Sequence, residues 1–183
     1  MAKQHSHGIE STARLAGHPL HPMLVAFPIA SVVLALVADI AYLSTLDPFW
    51  ARGAFWLLVI AFISGLLAAM AGLTDFLTIR PVRRLNAAWA HVFGNAGALV
   101  LVFINLAVRW GDPAAGVASG GLVLSIVTVL VLLVTGWLGG SLVYAYHLGA
   151  MDTPSAGEEA PKGTHTPIET REPGQRRSSA GRH

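Results

Sequence analysis

Apolar residues fill four long stretches of this chain, at about 23–43, 54–79, 87–108 and 120–147, with short polar segments between them. Each is long enough to supply the roughly 20 helical residues that span a bilayer's hydrocarbon core. Apolar positions run around most of each helix rather than along one stripe, as lipid-facing helices require. The pattern predicts four membrane-crossing helices, the second and fourth longer than needed and therefore tilted or protruding. Pro22 falls in the first turn of the first span, where proline is tolerated, and Pro28 falls inside it, where a kink is expected. The residues before Gly17 are polar and lack the apolar core of a cleavable signal. From about Asp152 onward Pro, Gly, Ser, Glu and Arg dominate, which reads as disorder. The expected fold is all-α: a short polar N-terminal segment over 1–16, a four-helix transmembrane bundle over 17–150 and a disordered tail over 151–183.

Composition agrees. Of 183 residues 54% are hydrophobic and 12% charged, against about 25% charged in an ordinary soluble domain. A net charge of +2 gives no reason to expect nucleic acid as a partner. The chain has no cysteine, so disulfides, thiolate nucleophiles, iron–sulfur clusters and c-type haem attachment are excluded. No glycine-rich phosphate loop and no nucleophile–base arrangement stands out, which disfavours a hydrolase.

The positions of the charges say more than their number. Lys3, Arg14, Arg80, Arg83, Arg84, Lys162, Arg171, Arg176, Arg177 and Arg182 fall on the side shared by both termini and the second loop, leaving two of the twelve basic residues, Arg52 and Arg109, at the other face. By the positive-inside rule both termini are cytoplasmic, the short loop with Arg80, Arg83 and Arg84 weighing most. Trp50, Trp56, Trp89 and Trp110 sit near span ends, as an interfacial aromatic belt would place them; Trp137 lies deeper. Small residues recur every four positions, at Ser64, Ala68 and Gly72, at Ala90, Gly94 and Ala98, and at Gly136 and Gly140. That spacing lets helices approach closely and also suits a homo-oligomer.

Ionisable groups inside spans are expensive, so each needs a reason. At about 1.5 Å per residue, Asp75 lies roughly 6 Å into its span, His91 about as deep in the third, and His21 and His147 at the ends of the first and fourth. Each span thus brings one His or Asp to a single cytoplasmic layer. His18 and His21 each precede a proline, which biases them to an extended entry segment. On the third helix Asn95 and Asn105 fall about 40° to either side of His91 and Arg109 directly below it, so the four form an inward polar stripe. Asp39 lies at the depth of Arg109, so an Asp39–Arg109 ion pair is expected, with Asn105 helping to satisfy it.

His18, His21, Asp75, His91 and His147 are therefore the candidate cofactor ligands. Imidazoles with a carboxylate suit zinc, iron, nickel or copper. Two imidazoles from facing helices suit the axial positions of a b-type haem, with Gly136 and Gly140 leaving room beside His147. Spacing alone does not choose between them.

The run Gly17-His18-Pro19-Leu20-His21-Pro22, followed by Phe27-Pro28 and Asp39, resembles the bacterial membrane domain of unknown function 2231. Ala71-Gly72-Leu73-Thr74-Asp75, Thr78-Ile79-Arg80-Pro81, His91 with Asn95, Asn105 and Arg109, and Gly139-Gly140 with Leu142-Val143-Tyr144 continue the resemblance in order. It implies four membrane helices in a bacterial inner membrane. Fusion of some relatives to Rieske domains implies electron transfer, here with a separate redox partner. In that pattern a histidine follows the tyrosine by two residues; here Tyr146 holds that place and His147 follows. The expected function is a haem-binding electron-transfer protein of the lipid bilayer, with a non-haem metal protein, or a structural or assembly subunit of a membrane complex, as the alternatives.

Overall fold

The computed structural model describes residues 11–16 and 18–146. A short hairpin comes first, with β1 (Arg14–Leu15) antiparallel to β2 (His18–Pro19). It leads directly into α1 (Leu20–Leu24) and α2 (Ala26–Thr45), which together make the first span. α3 (Pro48–Thr78) is the second span, α4 (Asn86–Val108) the third, and a 3₁₀ turn at Val82–Arg84 joins them. α5 (Pro113–Gly116), a wide π turn over Val117–Gly121 and α6 (Leu122–Tyr146) complete the fourth. The four long helices are each apolar and long enough to cross a membrane. His147 and the tail over 151–183 lie outside the described residues.

The sequence explains where these helices start and break. Pro48 stands at the first position of α3, and Asp47 before it accepts the Phe49 N–H at 2.9 Å. Proline needs no donor there, and the carboxylate satisfies one of the unpaired N–H groups of the first turn. Asp112 and Pro113 repeat the device at α5. The expected kink at Pro28 appears as the break between α1 and α2. Leu24, the last residue of α1, is four residues before Pro28, where the ring excludes the carbonyl. His21 lies within α1, so only His18 occupies the extended entry segment expected for both. In the fourth span Gly120 has φ +127°, a conformation that favours glycine, and this opens the π turn.

The bundle is a ring in which α2 packs on α3 and α6, and α4 packs on α3 and α6. The first and third spans are therefore diagonal partners. Along α3 the buried residues from Ala51 to Ala68 are Ala51, Ala54, Leu58, Ala61, Gly65 and Ala68, alternating three and four apart as in a left-handed bundle, with Ala71 and Phe76 buried beyond them. Their small side chains let Val32, Ala35, Ala38 and Val102 close the central core. The outer surface carries Val33, Leu34, Val37, Ile63, Leu67, Phe93, Leu130 and Leu133 in exposed positions. Such a continuous apolar exterior suits lipid and not water.

Candidate functional site

Two polar centres occupy opposite ends of the bundle. At the end where α4 finishes, Arg109 is fully buried with Asp39, Asn105 and Ser125, all at 0% exposure. Its Nη1 donates to Asp39 Oδ1 at 2.6 Å and its Nη2 to Asp39 Oδ2 at 2.7 Å, a two-pronged guanidinium–carboxylate pair. Nε donates to Asn105 Oδ1 at 2.8 Å. Ser125 Oγ, on α6, donates to Asp39 Oδ2 at 2.7 Å and accepts from Asn105 Nδ2 at 3.0 Å. The Asp39–Arg109 pair expected from depth is thus present, with Asn105 in the expected supporting role. Ser125 is the member that sequence reasoning missed, since a lone serine on an apolar helix carries no periodic signal. Gly121 makes room for the guanidinium: a Cβ there would stand 2.8 Å from Arg109 Nη2.

At the other end His21 and His91 face one another from the diagonal spans, with ring centroids 6.0 Å apart and planes at 83°. His21 Nδ1 donates to the Ala68 carbonyl on α3 at 2.8 Å, and His91 Nδ1 to the Thr135 carbonyl on α6 at 2.9 Å. A carbonyl only accepts, so Nδ1 carries a proton in both rings. Two glycines seat the rings. A Cβ on Gly72 would stand 2.7 Å from His21 Nδ1, and one on Gly139 would stand 2.8 Å from His91 Cε1. Gly72, counted in sequence among helix-packing residues, is therefore also the seat of an imidazole. Asn95, one turn after His91, donates to the His91 carbonyl at 2.7 Å and places Nδ2 3.3 Å from His91 Nε2. A cavity of about 100 Å³ runs from the two rings into the core, past Gly65, Ala98, Thr128 and Gly136.

Asp75 does not join the histidines. Its Oδ2 accepts from Ser11 Oγ at 2.7 Å, and its Oδ1 accepts the N–H groups of Thr12 and Ala13 at 2.7 and 2.8 Å. Thr78 adds a hydroxyl contact to Thr12 at 2.9 Å. The carboxylate anchors residues 11–13 on the end of α3, and Ala13 in turn accepts the Leu20 N–H at 2.9 Å, one residue before His21. Matched depth placed Asp75 in the histidine layer; donors from a segment preceding the spans claimed its oxygens. His18 is exposed in β2, its Nδ1 3.1 Å from the Ala16 carbonyl. Among the described residues no group of three or more His, Cys, Asp or Glu side chains is placed to hold a metal ion. The convergence of the proposed five ligands is thus reduced to His21 and His91, with His147 outside the described residues.

Four long apolar spans with an apolar exterior and a buried Asp39–Arg109 pair define a multi-span membrane protein. The chain belongs to the DUF2231 family, described as a predicted membrane protein, which matches residues 17–152. Comparison with curated proteins and with solved structures gives no significant match.

Proposed function

We propose that this chain is an electron-transfer protein of a bacterial inner membrane that holds a b-type haem between His21 and His91, with both termini in the cytoplasm. The observation that carries this reading is the diagonal imidazole pair. Each ring is oriented by a backbone carbonyl through Nδ1, the usual support for a metal-binding histidine. An ion held by both rings at about 2.0–2.1 Å would put the ring centres on the order of 6 Å apart, and they stand 6.0 Å apart here. His21 and His91 would supply the two imidazoles that a b-type haem iron takes from the protein, whereas a closed zinc site needs four ligands. Haem, when bound, supplies one-electron chemistry. The protein's part is to orient His21 through Ala68, orient His91 through Thr135, and exclude water with the apolar walls of the bundle.

One observation favours a second reading. The adjoining cavity of about 100 Å³ is below the roughly 300 Å³ at which small-molecule pockets begin. A macrocycle requires the spans to part, while a single transition-metal ion between the same two rings does not. The experiment is an absorption spectrum and elemental analysis on one sample of protein extracted from cells supplied with haem. The expected result is a Soret band that is lost in His21→Ala and His91→Ala and kept in His18→Ala. Bound zinc, iron, nickel or copper with no such band supports the second reading. Colourless, metal-free protein whose alanine variants accumulate normally leaves a structural or assembly subunit.

A further inference from the structure

The start of α3 and the turn after α4 enclose an open recess of about 400 Å³, far from the histidines. Arg52, Phe55, Trp56, Trp110, Gly111 and Pro113 line it, and the buried Arg109 closes its floor. Phe55 joins the aromatic groups, its ring 5.7 Å from Trp56 and 6.3 Å from Trp110. Every polar side-chain group presented here is a donor. Arg52 is exposed and has no ion pair or hydrogen bond among the described residues. The indole N–H of Trp89 donates to the Arg83 carbonyl at 2.9 Å; those of Trp56 and Trp110, 63% and 79% exposed, have no protein acceptor among the described residues. Arg109 is already neutralised by Asp39. The nearby carboxylates Asp47 and Asp112 are engaged with helix N-terminal N–H groups.

A guanidinium and two indole donors set in an apolar aromatic wall, at the end of the spans, match the headgroup level of a bilayer. There a phosphate oxygen pair takes a guanidinium bidentately, and indole rings lie against the glycerol and upper acyl chains. We propose that this recess is a binding site for the phosphate of an anionic phospholipid, with Arg52 as the anchoring cation and Trp56 and Trp110 as flanking donors. A zwitterionic headgroup carries its own cation to compete with Arg52, so an anionic lipid binds more tightly.

The test is native mass spectrometry of the full chain, stripped of lipid in detergent and titrated with phosphatidylglycerol, phosphatidylcholine or inorganic phosphate. Wild type is expected to take up one phosphatidylglycerol saturably and to bind phosphatidylcholine less tightly. Arg52→Gln weakens phosphatidylglycerol binding by about tenfold or more, Arg52→Lys by less, and Trp110→Phe by a few fold. All three should melt with wild type, because Arg52 and Trp110 are exposed. Wild-type affinity in folded Arg52→Gln overturns the proposal, as does an absence of saturable phosphatidylglycerol uptake by wild type. Inorganic phosphate binding as tightly as the lipid also overturns it, since the site would then recognise a free anion.

Discussion

Arg109 is the most costly residue in the bundle to place, a full charge at 0% exposure. It is tolerable because each of its nitrogens meets an acceptor in Asp39, Asn105 or Ser125. Removing one partner of such a pair leaves an unpaired buried charge and costs about 3–5 kcal/mol, while replacing both by apolar groups of similar volume is often neutral. Asp39→Ala should therefore lower the unfolding free energy in detergent by about that amount, and Asp39→Leu with Arg109→Met should recover most of it. A double variant as unstable as the single one would mean that the pair does more than fix packing. The histidines differ at the same scale. Their Nδ1 protons are committed to carbonyls, while on the Nε2 side His91 meets the Asn95 amide at 3.3 Å and His21 has no hydrogen bond among the described residues.

At the scale of the element, residues 11–19 form the least expected part of the fold. A segment that the sequence marks only as polar is tied down by one carboxylate taking three hydrogen bonds from Ser11, Thr12 and Ala13. Hydrogen bonds to a charged group contribute about 1.5–3 kcal/mol each, so Asp75→Ala should free this segment while leaving the spans intact. Trypsin cleavage after Arg14 is the readout, expected to accelerate by about tenfold or more with no change in the melting of the bundle. An unchanged cleavage rate would show that the hairpin or α1 holds the segment without Asp75. The same tie bears on the histidine pair, because Ala13 holds Leu20 and Leu20 opens the helix that carries His21.

At the scale of the whole molecule the two polar centres lie at opposite ends of the bundle. One end holds a satisfied, buried ion pair beneath an open recess, and the other holds two imidazoles beside a cavity. The absence of cysteine makes the orientation directly measurable. Single cysteines at Arg83→Cys and Ala115→Cys lie at opposite ends of the bundle. An impermeant maleimide added to intact spheroplasts, which retain the inner membrane, should label position 115 and spare position 83 until the membrane is opened. The reverse pattern would place the termini outside.

Much of this protein was legible in the chain itself. A membrane helix must satisfy its own backbone and offer an apolar surface to lipid, so length and hydropathy alone mark four spans. The proline rule marks the break after Leu24, whereas α3 and α5 start at Pro48 and Pro113, ahead of the apolar stretches at 54 and 120, because an aspartate cap and a first-turn proline begin a helix before its apolar run does. Depth and the 3.6-residue period bring Asp39 to Arg109 and Asn105, because a buried charge has few affordable solutions. The histidine layer was legible in depth but not in partnership. Depth is a coordinate along one axis, and it cannot say that the first and third spans are diagonal, that His21 and His91 face one another, or that Asp75 turns to residues 11–13. Those facts depend on how four nearly featureless apolar surfaces arrange themselves around each other. Small side chains and glycine seats decide that arrangement across the bundle, and so only the tertiary structure resolves it.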